Sequence, residues 1–223
     1  MLQITGVVRH LLIINVLMYF GTMFLGEPHG DILESLVLLR ETDISLWGRL
    51  RLAMFYPESP FFRPYQIISH MFMHGGLTHL FFNMFALFMF GPPIEAMWGP
   101  KRFLFYYLLT GFGALALHII VQYLELQYLG APVYTKHIPM LGASGAVFGL
   151  LLAYGMLFPN NIVQLIFPPI PMKAKYFVLI FAGIELFLGV GGFNTGIAHF
   201  AHLGGALFGF LLILYWRKFG TSL

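Results

Sequence analysis

Long apolar stretches separated by short polar segments dominate the chain. Six of them lie near residues 7–25, 71–91, 103–124, 141–158, 176–190 and 198–216. Each is about as long, or nearly as long, as the roughly 20 residues that cross a bilayer as a helix. The pattern therefore predicts an all-α membrane protein with six transmembrane helices, built as a single domain over residues 1–223.

Composition agrees with this prediction and narrows the chemistry. Hydrophobic residues make up 59% of the chain and charged residues 9%, against roughly 25% charged residues in soluble domains. The first apolar stretch continues through Leu25 without a small-residue cleavage site, so we expect it to be retained as a helix. Cysteine is absent from the sequence, which excludes disulfides and thiolate metal sites. A net charge of +3 in such a chain does not indicate nucleic-acid binding.

The distribution of charge predicts the orientation in the membrane. One side of the predicted bundle carries a single acid, Glu95, and the basic residues Arg9, Lys101, Arg102, Lys173, Lys175, Arg217 and Lys218. Because basic loops stay in the cytoplasm, both termini should be cytoplasmic, as in a multi-pass protein of a bacterial inner membrane. The mixed-charge residues 27–69 then form a long external loop between spans 1 and 2, part of it helical and lying at the interface.

One serine lies between glycines within an apolar span. The stretch "GASGAVFG" (142–149) places Ser144 near the outer end of span 4, about 15 residues, or about 22 Å, above the inner end of that helix. The hydroxyl should therefore lie a few ångströms below the outer membrane surface. Ser144 can also be a small packing residue, since Gly145 and Gly149 form a small-residue face of the kind that membrane helices pack together.

A histidine on span 6 favours a chemical role for the serine. In "AHFAHLGGALFG" (198–209), Gly205 and Gly209 form a second glycine face. If the two faces pack together, His202 and Ser144 differ in depth by about 3 Å. Histidine can then act as the general base for a serine nucleophile. The alternative is a hydrogen-bonded packing histidine, although ionisable groups inside a membrane usually indicate function.

Span 2 offers hydrogen-bond donors for an oxyanion. In "SHMFMHGGLTHLFFN" (69–83), His79 and Asn83 are four residues apart and share one helix face near the outer end. His70 and His74 bracket the entry into the span and suit a loop-ordering role. A metal site is the competing interpretation of these histidines, but the chain has no His-Glu-x-x-His pattern. Glu185 in span 5 could orient an imidazole, but a protonated or hydrogen-bonded structural acid is the favoured interpretation.

Three separated motifs resemble those of the rhomboid family of intramembrane serine proteases. "HGGLTHLFFN" is similar to the His-x3-Asn motif of the family, "GASG" to its Gly-x-Ser-Gly motif, and "AHLGGALFG" to its histidine followed by Gly-x3-Gly. The three agree in order and spacing over a region from about Phe62 to Trp216. The chain departs at "FFRPYQIISH", where Tyr65 and Gln66 stand in place of the Trp-Arg often found in bacterial members, and Arg63 is displaced.

The resemblance implies residue roles. It makes Ser144 the nucleophile and His202 its base, in a Ser-His dyad. The oxyanion donors would be His79, Asn83 and the backbone amide of Ser144. Phe148 matches the aromatic position that stacks near the catalytic histidine of the family. The supporting residues would be Gly142, Gly145, Phe148, Gly205 and Gly209.

The resemblance also implies a fold and an activity. We expect a six-helix rhomboid-like bundle, a water-filled cavity that opens outward, and cleavage of transmembrane segments of other membrane proteins. The expected partners are those substrates and the lipid bilayer, with no nucleic acid, and no metal or other cofactor. An inactive relative that binds transmembrane helices is the alternative. A transporter is a further rival, but it would favour paired charges at mid-membrane, for which Glu185 alone is little support.

Overall fold

The computed structural model describes residues 6–22, 51–164, 169–191 and 198–219, and these are mostly helical. The helices are α1 (Gly6–Thr22), α2 (Gln66–Ser69), α3 (Leu77–Trp98), α4 (Pro100–Tyr128), α5 (Ser144–Leu157), α6 (Ala174–Val190) and α7 (His199–Lys218). Two 3₁₀ turns cover His70–Phe72 and Val133–His137. A short antiparallel pair, β1 (Ile162–Gln164) and β2 (Pro171–Lys173), lies between α5 and α6.

The predicted helical character is confirmed, and each of the six apolar stretches overlaps one long helix. Among the residues that the structure describes, three helices have both the length and the apolar composition to cross a membrane: α3, α4 and α7, with 22, 29 and 20 residues. Two others, α1 and α5, are apolar but shorter, with 17 and 14 residues. The chain is therefore a helical membrane bundle, and the full count of six spans stays a prediction.

The largest difference from the predicted boundaries concerns α3. The apolar stretch at 71–91 predicted a span that ends before the two prolines, whereas the helix runs from Leu77 through Pro92 and Pro93 to Trp98. The helix ends at Gly99, which has φ +78, a conformation that favours glycine. Its last turns are tied to α1, because the carboxylate of Glu95 accepts the backbone N–H groups of Val7 and Val8 at 3.0 Å each. Those amides belong to the first turn of α1, which has no helical partners for them.

Helix α5 contacts α3, α4, α6 and α7, and α7 packs most extensively against α4 and α5. At the α5–α7 contact, Gly205 lies directly against the backbone of Gly145, with no space for a side chain. The other two predicted contact glycines behave differently, since Gly149 and Gly209 both face α4, at Thr110 and Tyr106. Gly145 and Gly205 thus allow the close approach of α5 and α7, whereas Gly149 and Gly209 leave room for side chains of α4.

Only the end of the predicted external loop falls among the described residues, because positions 23–50 lie outside them. In residues 51–69, the fully buried side chain of Gln66 organises the chain. Its Nε2 donates to the backbone oxygens of Arg51 and Phe61 at 3.2 and 3.0 Å, and its Oε1 accepts from the N–H of Arg63. Met54 pairs through its backbone with Met140, four residues before Ser144. The loop is therefore fastened to the segment that leads into α5.

Candidate active site

Ser144 is the first residue of α5, and this position exposes backbone donors beside its hydroxyl. The amides in the first turn of a helix have no partner within the helix, and the helix dipole makes this end favourable for negative charge. The preceding Gly142 has φ +129, which strongly favours glycine. Its N–H donates to the backbone oxygen of His70 at 2.9 Å. The turn that presents Ser144 is thus fixed to the 3₁₀ turn before α3.

His202 lies against Ser144 across the α5–α7 contact. Its Nε2 is 2.8 Å from the Oγ of Ser144, at hydrogen-bond distance. The Phe148 ring stacks on the imidazole with the centroids 4.2 Å apart and the planes within 7°. His202 is buried, at 9% exposure, while Ser144 is partly exposed. The hydroxyl is therefore paired with an imidazole whose ring orientation is held by an aromatic side chain.

His79 and Asn83 occupy successive turns of α3, and His79 lies on the side of the serine. His79 Nδ1 accepts the N–H of Gly75 at 3.3 Å, so the proton of the neutral ring belongs on Nε2. A methyl group on Gly142 would lie 3.0 Å from that Nε2 and 3.4 Å from the Oγ of Ser144. Only glycine therefore fits between the imidazole and the hydroxyl.

Asn83 is buried, and its amide is oriented by the helix that carries it. Its Nδ2 donates to the backbone oxygen of His79 at 2.9 Å. A primary amide carries two N–H groups, so this bond uses one of them. Asn83 is thus held in the same face of α3 as His79, as the spacing of four residues predicts.

Glu185, for which the sequence favours a structural acid over an imidazole-orienting role, lies next to the candidate base. Its carboxylate meets two histidines of α7: Oε2 lies 2.6 Å from the Nδ1 of His199, and Oε1 lies 3.0 Å from the Nδ1 of His202. The first contact is a hydrogen bond. The second is at ion-pair distance but not aligned for a hydrogen bond. A signal was present in the sequence, because an acid alone in an apolar span requires a polar partner at similar depth, and α7 begins with two histidines.

The two histidines before α3 have structural surroundings. His70 is fully buried, and its Nδ1 lies 2.8 Å from the backbone oxygen of Gln66. His74 is also buried, with its ring edge-on to His79 at a centroid distance of 5.1 Å. His70 thus joins the loop to the turn before Ser144, and His74 packs behind His79. This placement suits the loop-ordering role.

The chain is similar in sequence to known proteins. The family model described as Rhomboid domain matches residues 62–219. The chain is 29% identical over 209 residues to rhomboid protease AarA of Providencia stuartii, which covers 91% of this chain and 69% of that protein. It is 35% identical over 148 residues to RHOMBOID-like protein 4 of Arabidopsis thaliana, covering 66% of this chain and 33% of that protein. It is 32% identical over 154 residues to the mitochondrial Rhomboid protein 1 of Saccharomyces cerevisiae. That alignment covers 68% of this chain and 42% of the yeast protein.

The apolar helical bundle defines an integral membrane protein, and its serine and histidine meet at the contact of two helices. The chain belongs to the rhomboid family, whose model matches most of its length. Relatives in that family include proteins named as proteases and proteins named as mitochondrial. The resemblance found in the three sequence motifs is thereby confirmed.

Proposed function

We propose that this protein is an intramembrane serine endopeptidase that cleaves transmembrane segments of other membrane proteins. The observation that carries the proposal is the 2.8 Å contact between Nε2 of His202 and Oγ of Ser144. A serine hydroxyl is a weak nucleophile until a base accepts its proton. An imidazole at hydrogen-bond distance supplies that base, because it can accept a proton and later return it.

The proposed reaction has two halves. Oγ of Ser144 attacks the scissile carbonyl carbon while its proton moves to Nε2 of His202. The C–N bond then breaks, and the same proton passes to the leaving amine, which leaves an acyl group on Ser144. In the second half, water attacks the ester carbon while its proton moves to Nε2 of His202. The bond between that carbon and Oγ then breaks, and the proton passes from Nε2 to Oγ, which restores the hydroxyl of Ser144 and releases the acid product.

Each attack places a negative charge on the carbonyl oxygen, which requires hydrogen-bond donors at that position. The proposed donors are the backbone amide of Ser144, the Nε2–H of His79 and the second N–H of Asn83. The amide belongs to a helix N-terminus, which favours an anion. The protonated nitrogen of His79 faces Gly142, next to the nucleophile. Preorganised donors of this kind are worth about 10²–10³-fold in rate each.

The length of α5 supports a membrane-embedded reaction. Its 14 residues measure about 21 Å, against a hydrocarbon core of roughly 30 Å. With the carboxyl end of α5 at the inner interface, Ser144 lies below the outer surface. A substrate helix must unwind to present an extended peptide there, so segments with weak helix formers such as Gly, or with Pro nearby, are the preferred substrates. We propose six spans with both termini cytoplasmic, in a bacterial inner membrane.

The test is reconstitution of the purified full chain in liposomes with a panel of single-span proteins, followed by mapping of the products by mass spectrometry. Wild-type protein should cut at least one panel member inside or near its membrane segment, and Ser144→Ala should cut none. Ser69→Ala is the matched control, since it also removes one hydroxyl, which bonds to the backbone of Leu52 away from the site. Cleavage by Ser144→Ala at the wild-type rate would refute the nucleophile. Binding of panel members without cleavage by the wild type would favour the inactive, helix-binding alternative.

A further inference from the structure

The carboxylate of Glu185 bridges two histidines, and only one of them contacts the serine. Its two oxygens lie at 2.6 and 3.0 Å from the Nδ1 atoms of His199 and His202. His202 thus has Glu185 at one ring nitrogen and Ser144 at the other. The four side chains form a continuous row in the order His199, Glu185, His202 and Ser144. The row therefore passes from α7 to α6, back to α7 and then to α5.

We propose that Glu185 is a positioning residue for His202, held in place by His199, so that the dyad works as the inner part of a Ser-His-Glu-His array. This proposal rests on the proposed function. Glu185 does not touch Ser144 or the reacting atoms. It acts through the imidazole, and His199 acts through Glu185.

The chemistry of the base requires a partner at Nδ1. His202 can accept the serine proton only if Nε2 is unprotonated, and the proton of the neutral ring must then be on Nδ1. A carboxylate beside Nδ1 accepts a hydrogen bond from the Nδ1–H group, and it therefore favours the tautomer in which Nε2 is free to accept the serine proton. It also stabilises the imidazolium that forms when the serine proton arrives, without taking a proton itself. The contact is bent in the resting state, as catalytic hydrogen bonds often are before substrate binds.

His199 explains how the carboxylate is kept in place. A buried carboxylate is costly unless its oxygens are bonded, and Glu185 is 9% exposed. The Nδ1–H of His199 donates to Oε2 at 2.6 Å, and hydrogen bonds to a carboxylate are short and strong. That bond fixes the carboxyl group so that Oε1 faces His202. The two histidines are three residues apart on α7, which places both rings on the side of α6.

A purely structural role for Glu185 is the competing explanation. The Glu185–His199 bond joins α6 to α7, and its loss could loosen the bundle without affecting the chemistry. The chain contains a matched control for this possibility. Glu95 is another buried carboxylate, 5% exposed, that joins two helices through two accepted hydrogen bonds far from Ser144 along α3.

The experiment measures kcat and KM on the full chain in liposomes, with the active sites counted by a serine-directed probe, and measures the thermal unfolding midpoint of each variant. For Glu185→Gln we expect kcat to fall by about 10²-fold, with KM unchanged. Glu185→Asp keeps the charge and should recover part of the lost kcat. Glu95→Gln should lower the unfolding midpoint and leave kcat per active site unchanged. A wild-type kcat in Glu185→Gln would overturn the proposal. It would also be overturned if activity fell only in step with the unfolding midpoint and Glu185→Asp did not recover it.

A spectroscopic measurement separates this proposal from the proposed function. In protein with ¹⁵N-labelled histidine, the shifts of His202 report which ring nitrogen carries the proton. We expect Nδ1–H in the wild type and a mixture of tautomers in Glu185→Gln, whether or not a cleaved substrate has been found. Unchanged shifts in Glu185→Gln would overturn the role of Glu185 even if Ser144 is the nucleophile. Changed shifts with full proteolysis by Ser144→Ala would instead overturn the proposed function alone.

Discussion

The two histidines of the first turn of α7 differ by what each ring contacts. His202 contacts Ser144, Glu185 and the face of Phe148, whereas the described contact of His199 is with Glu185. If the glycine pairs of α5 and α7 set the register, His199 lies about 7.5 Å above the level of Ser144 and His202 differs from that level by about 3 Å, so helix geometry alone favours His202 as the base. The structure brings His202 to the hydroxyl and gives His199 a partner on α6.

This difference predicts unequal effects of removing the two rings. His202→Ala should abolish cleavage and labelling by a serine-directed fluorophosphonate, because no other described base contacts the hydroxyl of Ser144. His199→Ala should retain measurable turnover, reduced by about 10-fold, because His202 keeps its contact with Ser144. Both variants are to be compared at equal folded concentration. An inactive His199→Ala beside an active His202→Ala would contradict the assignment of the base.

Asn83 gives the second prediction at this scale. If its second N–H supplies one oxyanion donor, Asn83→Ala should lower turnover by about 10²-fold with little change in thermal stability. Asn160→Ala is a matched control, since Asn160 is exposed in the turn between α5 and β1, and should leave turnover unchanged. A wild-type rate in Asn83→Ala would leave His79 and the backbone amide as the donors.

The sequence could name these residues but not all of their partners. The glycine faces beside Ser144 and His202 predict that these two residues meet, and His79 and Asn83 share one helix face because they are four residues apart. The role of Glu185 depends on how α6 packs beside α7, which no local spacing records. The favoured interpretation of Glu185 as a structural acid therefore omitted its contact with His202.

At the scale of helices, the contact of α5 with α7 decides whether the serine and the base can meet. A Cβ on Gly205 would collide with the backbone of Gly145. We predict that Gly205→Ala separates the two helices, costs about 1–3 kcal/mol of stability and lowers turnover with it. Gly183→Ala in α6 is the control, since the space around that glycine is open. It should be neutral or slightly stabilising. Equal stability and turnover for both variants would contradict this account of the contact.

Helix boundaries were the less predictable part of the fold. The apolar stretch at 71–91 shows which residues are hydrophobic, but it does not show at which residue the hydrogen-bonded helix begins or ends. Gly75 and Gly76 delay the start of α3, and the hydrogen bonds between Glu95 and α1 hold its last turns beyond two prolines.

In the loop before α3, the sequence marks Gln66 only as a departure from the family pattern. The three hydrogen bonds of its side chain join residues 51, 61 and 63, and such a fold of the loop onto itself has no periodic pattern in the sequence.

At the scale of the whole molecule, the proposed orientation is open to direct measurement. The chain has no cysteine, so single introduced cysteines report their side of the membrane without background. We predict that a membrane-impermeant maleimide labels Leu129→Cys, at the end of α4 and 76% exposed, in spheroplasts of an expressing bacterium. Asn160→Cys, after α5, should be labelled only after permeabilisation. The opposite pattern would place both termini outside and reverse the depth assigned to Ser144.

The central claim is that Ser144 is a nucleophile activated by His202, and the site of a covalent adduct tests it most directly. Purified protein is treated with a fluorophosphonate, digested and examined by mass spectrometry. The account predicts one modified residue, Ser144, with modification lost in His202→Ala and retained in Ser69→Ala. No adduct on Ser144 in protein that cleaves a substrate, or an undiminished adduct on Ser144 in His202→Ala, would contradict it.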